Sequence, residues 1–234
     1  REETVRGQHM AQWLFWNGSH LHLTPCDFIT ALAIHARVVP EAIRKLPMTC
    51  GCGLTVITQS QAISHFCVCD NASTMTKTHR HHAVRDAIVT VCRSQGIRCS
   101  SEPTAYQDLY TNGHKRPDIL FHVVPPIATD VTVINTVGDA GVQAQKAAHE
   151  KCAAHTDTVA KLGHRFIPTT METFGHLDQG VFQLTAALAE ALPHFHRRTF
   201  ALQLVHAIAT ALAQWRSQAV RLAFARGSFQ ARVG

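Results

Sequence analysis

The chain of 234 residues lacks the signatures of several common protein classes. Its closest approach to a long apolar run, residues 200–215, is interrupted by two glutamines and a histidine, so the sequence predicts no membrane span. Only 16% of the residues are charged and 46% are hydrophobic, a balance that excludes a disordered or fibrous chain. Because there is no Gly-rich phosphate loop, no G-x-S-x-G and no H-E-x-x-H motif, nothing supports a metabolic enzyme.

The start of the chain also lacks a targeting signal. Its first residues, Arg-Glu-Glu-Thr, form no apolar signal-peptide core and include no methionine. We therefore expect residue 1 to be a cut inside a longer reading frame.

Histidine, cysteine and basic residues are present in excess. There are 17 histidines and 8 cysteines, and Lys plus Arg outnumber Asp plus Glu by 22 to 16. A formal net charge of +6 suits a polyanionic partner without requiring one. Without a secretory signal, clustered cysteines indicate metal ligands or reduced thiols rather than disulfides.

Hydrophobic periodicity predicts a mixed α+β or α/β chain in which helices surround a few short strands. We expect helices over 27–37, 81–95, 140–163, 177–192 and 199–225, and strands over 97–101, 116–124, 127–135 and 165–168. Gly96 is expected to end the second helix, and Pro125-Pro126 to form the turn between the two longest strands. Residues 48–80 show little regular pattern.

The most specific local pattern is a cluster of cysteine and histidine. Cys50-Gly51-Cys52 is followed, after twelve residues, by His65 and then by Cys69. Zinc binds four deprotonated nitrogen or sulfur donors in a tetrahedron, and closely spaced pairs supply them at little cost in chain entropy. We expect a structural zinc site, with Cys67 as an alternative fourth thiol. The competing interpretation is a set of buried cysteines without metal.

Two aspartates are predicted to meet on neighbouring strands. If Pro125-Pro126 lies in an antiparallel turn, Asp118 faces Asp130, and both side chains share one side of the sheet. Paired carboxylates repel each other unless a cation lies between them, and Mg²⁺ prefers such oxygens. This predicts metal-assisted phosphodiester cleavage. The competing interpretation is a turn residue and an edge-strand charge.

A cation near the aspartates is expected to stabilise charge or orient the attacking water. The Ala-rich helix offers Lys146 and Lys151, which lie roughly 140° apart around a helix, so both cannot point at one site. Glu102 is a candidate for a further metal ligand or for orienting water.

Basic residues near the aspartates are candidates for contacting nucleic acid, because phosphate contacts supply most of the affinity for nucleic acids. The candidates are Arg80, Arg85, Lys115 and Arg116. Further arginines, including Arg216 and Arg221, are expected on the solvated face of a C-terminal helical hairpin, where they either stay solvated or extend the phosphate-contacting surface.

These features occur together in an order that points to one family. The segments concerned are Cys50-Gly51-Cys52-Gly53, His65 and Cys69, Arg80-His81-His82-Ala83-Val84-Arg85-Asp86, Glu102-Pro103, Arg116-Pro117-Asp118-Ile119-Leu120 and Asp130-Val131-Thr132-Val133. Over about residues 50–175 the chain resembles the C-terminal region of site-specific non-LTR retrotransposon proteins of the SLACS/CRE kind. In those proteins a reverse transcriptase is followed by a zinc knuckle and a restriction-enzyme-like endonuclease of the PD-(D/E)XK class.

The resemblance implies a domain order. It comprises a helical remnant of an upstream domain over 1–47, a zinc knuckle over 48–80, a restriction-endonuclease-like core over 81–176 and a helical C-terminal extension over 177–234. The chain contains no aromatic-x-Asp-Asp motif of a reverse transcriptase, so the polymerase domain would lie upstream.

The resemblance also implies roles for individual residues. Cys50, Cys52, His65 and Cys69 would bind zinc, and Asp118 and Asp130 would be the nuclease acids that bind magnesium. The family often carries its lysine on the following helix in a K-x-x-K-[YF] pattern. Lys151 keeps the first lysine, whereas Ala154 and His155 replace the second lysine and the aromatic residue.

The implied activity is that of a nuclear, Mg²⁺-dependent nicking endonuclease. It would cut one strand of the target DNA so that the 3′ hydroxyl primes reverse transcription of the element RNA. The alternative is a zinc-containing nucleic-acid-binding module of the same origin that has lost its chemistry. The two hypotheses differ in Mg²⁺-dependent cleavage and in whether Lys151 points toward the aspartates.

Overall fold

The structure, a computed structural model, describes residues 23–35, 48–56, 58–67, 69, 77–110, 116–135, 141–225 and 229–231. Within these ranges the helices are α1 Pro25–His35, α2 Gln59–Phe66, α3 Lys77–Ser94, α4 Val142–Ala160, α5 Gln179–Glu190 and α6 His194–Ala225. The strands are β1 Met48–Cys50, β2 Thr55–Val56, β3 Cys99–Ser101, β4 Ile119–Phe121, β5 Ile127–Thr129, β6 Val131–Ile134, β7 Arg165–Phe166, β8 Thr169–Glu172 and β9 Phe229–Ala231. The expected mixture of α and β structure is confirmed, and helices predominate.

The central sheet has the order β3–β4–β5–β7, with antiparallel pairs except for the parallel pair β5–β7. Strands β6 and β8 pair in parallel as direct continuations of β5 and β7. The ladder carries on across both breaks, because the amide of Ile167 donates to Ala128 O at 3.0 Å and that of Thr169 to Asp130 O at 3.0 Å. The parallel pairing requires the crossover that α4 supplies.

Helices cover both faces of this sheet. Because successive side chains in a strand point to opposite faces, Ile119 and Phe121 pack into the main core with α3, α5 and α6. Leu120 packs on the other face with Val159 of α4. The result is three layers, with α3, α5 and α6 on one side of the sheet and α4 on the other, where Tyr106 also packs.

The C-terminal helices are part of this core rather than an appended tail. Leu184 of α5 and Phe200, Leu204 and Ile208 of α6 are buried in the same cluster as the strands. Helix α6 also packs against α1. There Arg221 lies 2.7 Å from Asp27, so this arginine has a protein partner and does not simply face solvent. Among the described helices, none is long and apolar enough to cross a membrane.

Several elements differ from the sequence-based expectation. Residues 48–66, expected to be irregular, contain the hairpin β1–β2 and helix α2, and α3 begins at Lys77 rather than at 81. Helix α6 begins at His194, directly after Pro193, rather than at 199. Strand β8 was missed because Thr169–Glu172 has no apolar alternation, although all four residues are buried.

Candidate functional site

The four predicted zinc ligands come together from three short elements. Cys50 ends β1, Cys52 lies in the tight turn to β2, His65 is in the last turn of α2, and Cys69 follows that helix. Gly53 has φ +88°, a left-handed conformation that favours glycine and lets the hairpin turn. The amide of Cys69 donates to His65 O at 2.9 Å, which fixes the second pair of donors.

A capping box fixes where α2 begins. The Thr58 hydroxyl accepts from the amide of Gln61 at 3.2 Å, and the Gln61 side chain accepts from the amide of Thr58 at 3.2 Å. The start of the helix is thereby set, and with it the position of His65 opposite the hairpin.

The distances between the donor atoms suit a tetrahedral ion. All four lie within 4.8 Å of one another, with Cys50 Sγ 3.8 Å from Cys69 Sγ and Cys52 Sγ 3.5 Å from His65 Nε2. Zinc bonds of about 2.3 Å to sulfur and 2.0–2.1 Å to nitrogen give tetrahedral edges of about 3.8 Å and 3.5 Å. This Cys₃His cluster could hold a zinc ion.

The alternative ligand Cys67 is excluded by its position. Its side chain is 3% exposed and packs with Trp215 and Ala219 of α6, and it is not part of the donor group. Burial raises the pKa of the Cys67 thiol to about 11, but it raises that of Cys50 to about 11 as well, so position and not acidity separates Cys67 from the cluster. Hydrogen bonding from the Leu54 amide, in contrast, lowers the pKa of Cys52, which favours a thiolate.

The two aspartates lie opposite each other at the same end of the central sheet. The register pairs Ile119 with Thr129, so Asp118 and Asp130 are the next residues along this antiparallel pair. The amide of Asp118 donates to Thr129 O at 2.9 Å, and Asp118 Oδ2 accepts from the amide of Val131 at 2.6 Å.

The two carboxylates turn toward helices on opposite faces of the sheet, which corrects the expectation that both share one face. Asp118 Oδ1 lies 3.2 Å from His81 Nε2 on α3, whereas Asp130 Oδ1 lies 2.9 Å from Lys151 Nζ on α4. Asp118 precedes β4, so the pleat of the strand does not fix its direction.

Asp130 is buried and engaged by two basic side chains. Besides Lys151, His155 Nε2 lies 3.3 Å from Asp130 Oδ2, and His155 Nδ1 lies 2.8 Å from the Tyr110 hydroxyl. Burial alone would raise the pKa of Asp130, but the hydrogen bond from His155 and the charge of Lys151 outweigh burial and lower it. Asp130 is thus held as a carboxylate.

His81 connects the two aspartates electrostatically. Its Nδ1 lies 2.9 Å from the carbonyl oxygen of Val131, and its Nε2 faces Asp118. Both partners can only accept hydrogen bonds, which favours the imidazolium form. The pKa of His81 is accordingly raised, mainly by Asp118 and to a smaller extent by the charge of Asp130.

The two candidate lysines on α4 have different positions. Lys151 contacts Asp130, whereas Lys146 is exposed. Glu102, with φ 48°, has an amide that donates to Asp118 O at 2.7 Å, but its carboxylate pairs with Arg85 Nη1 at 2.8 Å. The backbone of Glu102 is therefore at the site, while its side chain is committed to an arginine.

The expected nucleic-acid contact by Arg80 is wrong, because this side chain is 3% exposed. Its guanidinium donates to Asn135 Oδ1 at 2.8 Å, to Thr173 Oγ1 at 2.6 Å and to Val133 O at 2.7 Å. The guanidinium also lies 5.2 Å from the centre of the Trp215 ring. Arg80 therefore braces α3 against the sheet and α6.

The other predicted basic contacts differ in position. Arg85 is charge-compensated by Asp86 at 2.9 Å as well as by Glu102. Arg116 lies two residues before Asp118 and is partly exposed. Lys115 lies outside the described residues. Arg216, expected on a solvated face, is 2% exposed, and burial lowers its pKa to about 10.

His81, Tyr110 and the contact made by His155 were not anticipated as parts of the site. Helical spacing offers a signal for His155, which lies one turn after Lys151 and so faces the same side of α4. His81 and Tyr110 reach the site from α3 and from the loop after β3, and no local pattern links them to the aspartates.

Searches of the sequence against protein-family models and against functionally described proteins found no match. The fold, the Cys₃His cluster and the aspartate site at the end of the sheet are therefore the basis for assigning a function.

Proposed function

We propose that this chain is the DNA-nicking endonuclease region of a non-LTR retrotransposon reverse transcriptase protein, with a PD-(D/E)XK-like core. The observation that carries the proposal is the pairing of Asp118 and Asp130 on adjacent strands, with Lys151 Nζ 2.9 Å from Asp130. From α3 onward the order is a helix, the strands β3, β4 and β5 with its continuation β6, then α4 and β7 with its continuation β8, and this order supports such a core. The full protein would act in the nucleus, with a polymerase domain upstream and with target DNA and element RNA as partners.

A magnesium ion would be bound at this end of the sheet. Mg²⁺ in phosphate-processing sites is usually bound by one or two carboxylates plus waters and substrate phosphate oxygens. Asp118 and Asp130 supply one carboxylate on each face, so joint binding of one ion requires at least one of them to leave its contact with His81 or Lys151. The depressed pKa of Asp130 keeps this ligand ionised. A bound divalent cation would supply Lewis-acid polarisation of the phosphate and a more acidic water.

The surrounding side chains provide the positive charge that phosphodiester cleavage requires. Lys151 lies on the α4 side of Asp130 and would offset negative charge on the reacting phosphate or orient the attacking water. His81, whose pKa is raised by its hydrogen bond with Asp118, places a second basic side chain on the α3 side. His155, whose other ring nitrogen is bonded to the Tyr110 hydroxyl, holds the second carboxyl oxygen of Asp130, so that this carboxylate keeps its orientation.

With zinc bound, the Cys₃His cluster would stabilise the fold and help to bind nucleic acid. Cys50 of the cluster is buried with Ile34 of α1, Phe66 of α2 and Val220 of α6. A zinc ion here would tie the hairpin to α2 beside this small core, which supports a structural role.

Mg²⁺-dependent nicking of supercoiled plasmid DNA tests the proposal. Asp118→Ala should abolish nicking while DNA binding stays close to wild type. Its stability should fall by about 1–3 kcal/mol, because the amide of Val131 and the ring of His81 lose their partner. Asp157→Asn, which changes an exposed acid on α4, serves as the control and should leave nicking unchanged. Nicking that persists in Asp118→Ala would refute the assignment.

A pair of lysine variants on one helix tests the cation. Lys151→Met should reduce the rate of nicking by about 10²–10³-fold, because it removes an electrostatic stabiliser of the reacting phosphate. Lys146→Met removes the same charge from an exposed position on α4 and should leave the rate within a factor of about two. Equal effects of the two variants would remove Lys151 from the mechanism.

A second candidate function is binding without cleavage, in a module that has lost its chemistry. It is favoured by one observation, that both carboxylates are engaged by internal donors: Asp118 by His81 and the amide of Val131, and Asp130 by Lys151 and His155. This candidate predicts DNA binding by the wild-type protein with no nicking in Mg²⁺ or Mn²⁺. Nicking by the wild type would exclude it.

A further inference from the structure

A basic cleft lies at the end of the central sheet opposite the aspartates. Its volume is about 430 Å³, and Arg98, His122 and Arg165 line it, together with Glu190 as its acidic residue. It adjoins a second cleft of about 480 Å³ that shares Arg98 and His122 and adds Arg93. We call this combined surface the far-end groove.

The positive charge in the far-end groove is only partly offset, because Glu190 lines the groove but forms no ion pair with its arginines among the described residues. Within the described ranges, the side chains of Arg98 and Arg165 make no ion pair and no hydrogen bond, and both are exposed. The His122 ring bonds Ser100 Oγ at 2.9 Å, and Arg93 donates to Cys99 O at 3.1 Å, so neither is held by a carboxylate. Uncompensated guanidinium groups in a cleft favour an anionic ligand.

The basic residues occupy a row of backbone positions across the sheet. Arg98 precedes β3 and its carbonyl oxygen accepts from the amide of His122 after β4, while Arg165 begins β7 and its amide donates to Pro126 O. From β3 to β7 there are three strand spacings, or about 14 Å. One strand of a duplex carries a charge about every 3.4 Å of axis, so the row can span about four successive phosphates.

The groove is separate from the aspartate site. Asp118 and His122 lie at the two ends of β4, about 13 Å apart along an extended strand. A ligand in the far-end groove is therefore not the phosphate that would sit at the aspartates. The rim includes Val124, which is fully exposed, next to Val123 and Pro125.

We propose that the far-end groove binds the phosphate backbone of a nucleic-acid strand. Guanidinium groups match phosphate oxygens in bidentate geometry, and the length of the row suits several phosphates rather than one. The apolar rim offers contact to sugars and bases, which an isolated inorganic anion does not have. This site goes beyond the proposed function because it requires no cleavage chemistry.

Fluorescence anisotropy with labelled single-stranded DNA, measured between about 50 and 200 mM salt without added divalent cation, tests the proposal. The double variant Arg98→Ala/Arg165→Ala should bind several-fold more weakly, and the slope of log affinity against log salt should fall by about 1.4. Lys146→Ala, an exposed lysine at the other end of α4, should change the slope by less than half as much. Both groove arginines are exposed, so thermal melting should be unchanged.

Several results would overturn the proposal. The first is an unchanged affinity and salt slope in the double variant. The second is a loss of affinity per removed charge in Lys146→Ala that equals the loss per removed charge in the double variant. The third is displacement of the DNA by polyglutamate at an equal concentration of charge. The last would identify an acidic protein surface as the ligand. Asp130→Asn distinguishes failure of this proposal from failure of the proposed nuclease function. It should abolish nicking, while the difference in DNA affinity that Arg98→Ala/Arg165→Ala causes should remain.

Discussion

Substitution of Cys69 should abolish tight metal binding, whereas substitution of Cys67, two positions before it, should leave metal binding intact. Cys69 Sγ lies 3.8 Å from Cys50 Sγ inside the donor cluster, whereas Cys67 is buried against Trp215. Cys69→Ala should therefore lose tight zinc binding. Cys67→Ala should keep one zinc per chain and lose about 1 kcal/mol of stability, as is common for a small change in a core.

The size of the effect follows from linkage. With free zinc at about 1,000 times its dissociation constant, binding stabilises the folded state by about 4 kcal/mol. For a chain of this length each kcal/mol shifts the melting temperature by about 2–4 °C, so Cys69→Ala should melt about 8–16 °C lower. We expect the whole fold to melt in a single transition at the lower temperature, because Cys50 shares a core with α1, α2 and α6.

Metal analysis and thermal melting measure these effects directly. X-ray absorption of the wild-type protein should show three sulfurs at about 2.3 Å and one nitrogen at about 2.0 Å from zinc. The reasoning is refuted if Cys67→Ala loses the metal while Cys69→Ala retains it, or if the purified wild type binds no zinc when zinc is supplied.

Three further predictions follow from buried polar groups. Arg80→Met should lower the free energy of unfolding, measured in urea, by about 2–4 kcal/mol, because the acceptors around the guanidinium would stay buried and lose their donor. Weaker DNA binding at unchanged stability would contradict this prediction. Burial raises the pKa of Tyr106 to about 12 and also raises that of Tyr110, so absorbance at alkaline pH should show neither tyrosine half-ionised at pH 10. The stabilising contribution of the two phenols should be complete below about pH 10 and should be lost as pH rises further. A titration curve of ordinary tyrosines would contradict their burial. Tyr110→Phe, which leaves His155 Nδ1 without its partner, should slow nicking several-fold at constant DNA affinity, whereas an equal change in affinity would argue against a positioning role.

Local pattern was sufficient for the elements that carry their own signals. The apolar stripe of α3, the turn at Pro125-Pro126 and the Ala-rich helix α4 were all expected close to where they lie. The spacing of the cysteine and histidine pairs also identified the cluster that could hold zinc, since such pairs are local in sequence.

Features that depend on residues distant in sequence could not be predicted from local sequence patterns. Nothing in the local sequence distinguishes Arg80 from a surface arginine, but its partners Asn135 and Thr173 come from the segments that follow β6 and β8. The direction of Asp118 depends on His81 of α3 because the residue lies outside the strand. Charge alone does not tell whether a guanidinium will meet solvent or a buried acceptor.

The pairing of β9 with β1 sets an order of events during synthesis. Met48–Cys50 borders the metal cluster, and its outer edge is completed only by Phe229–Ala231. On the ribosome, this small sheet must wait until almost all of the described chain has emerged. Until then the nascent chain would expose an open strand edge beside the cysteines of the donor cluster.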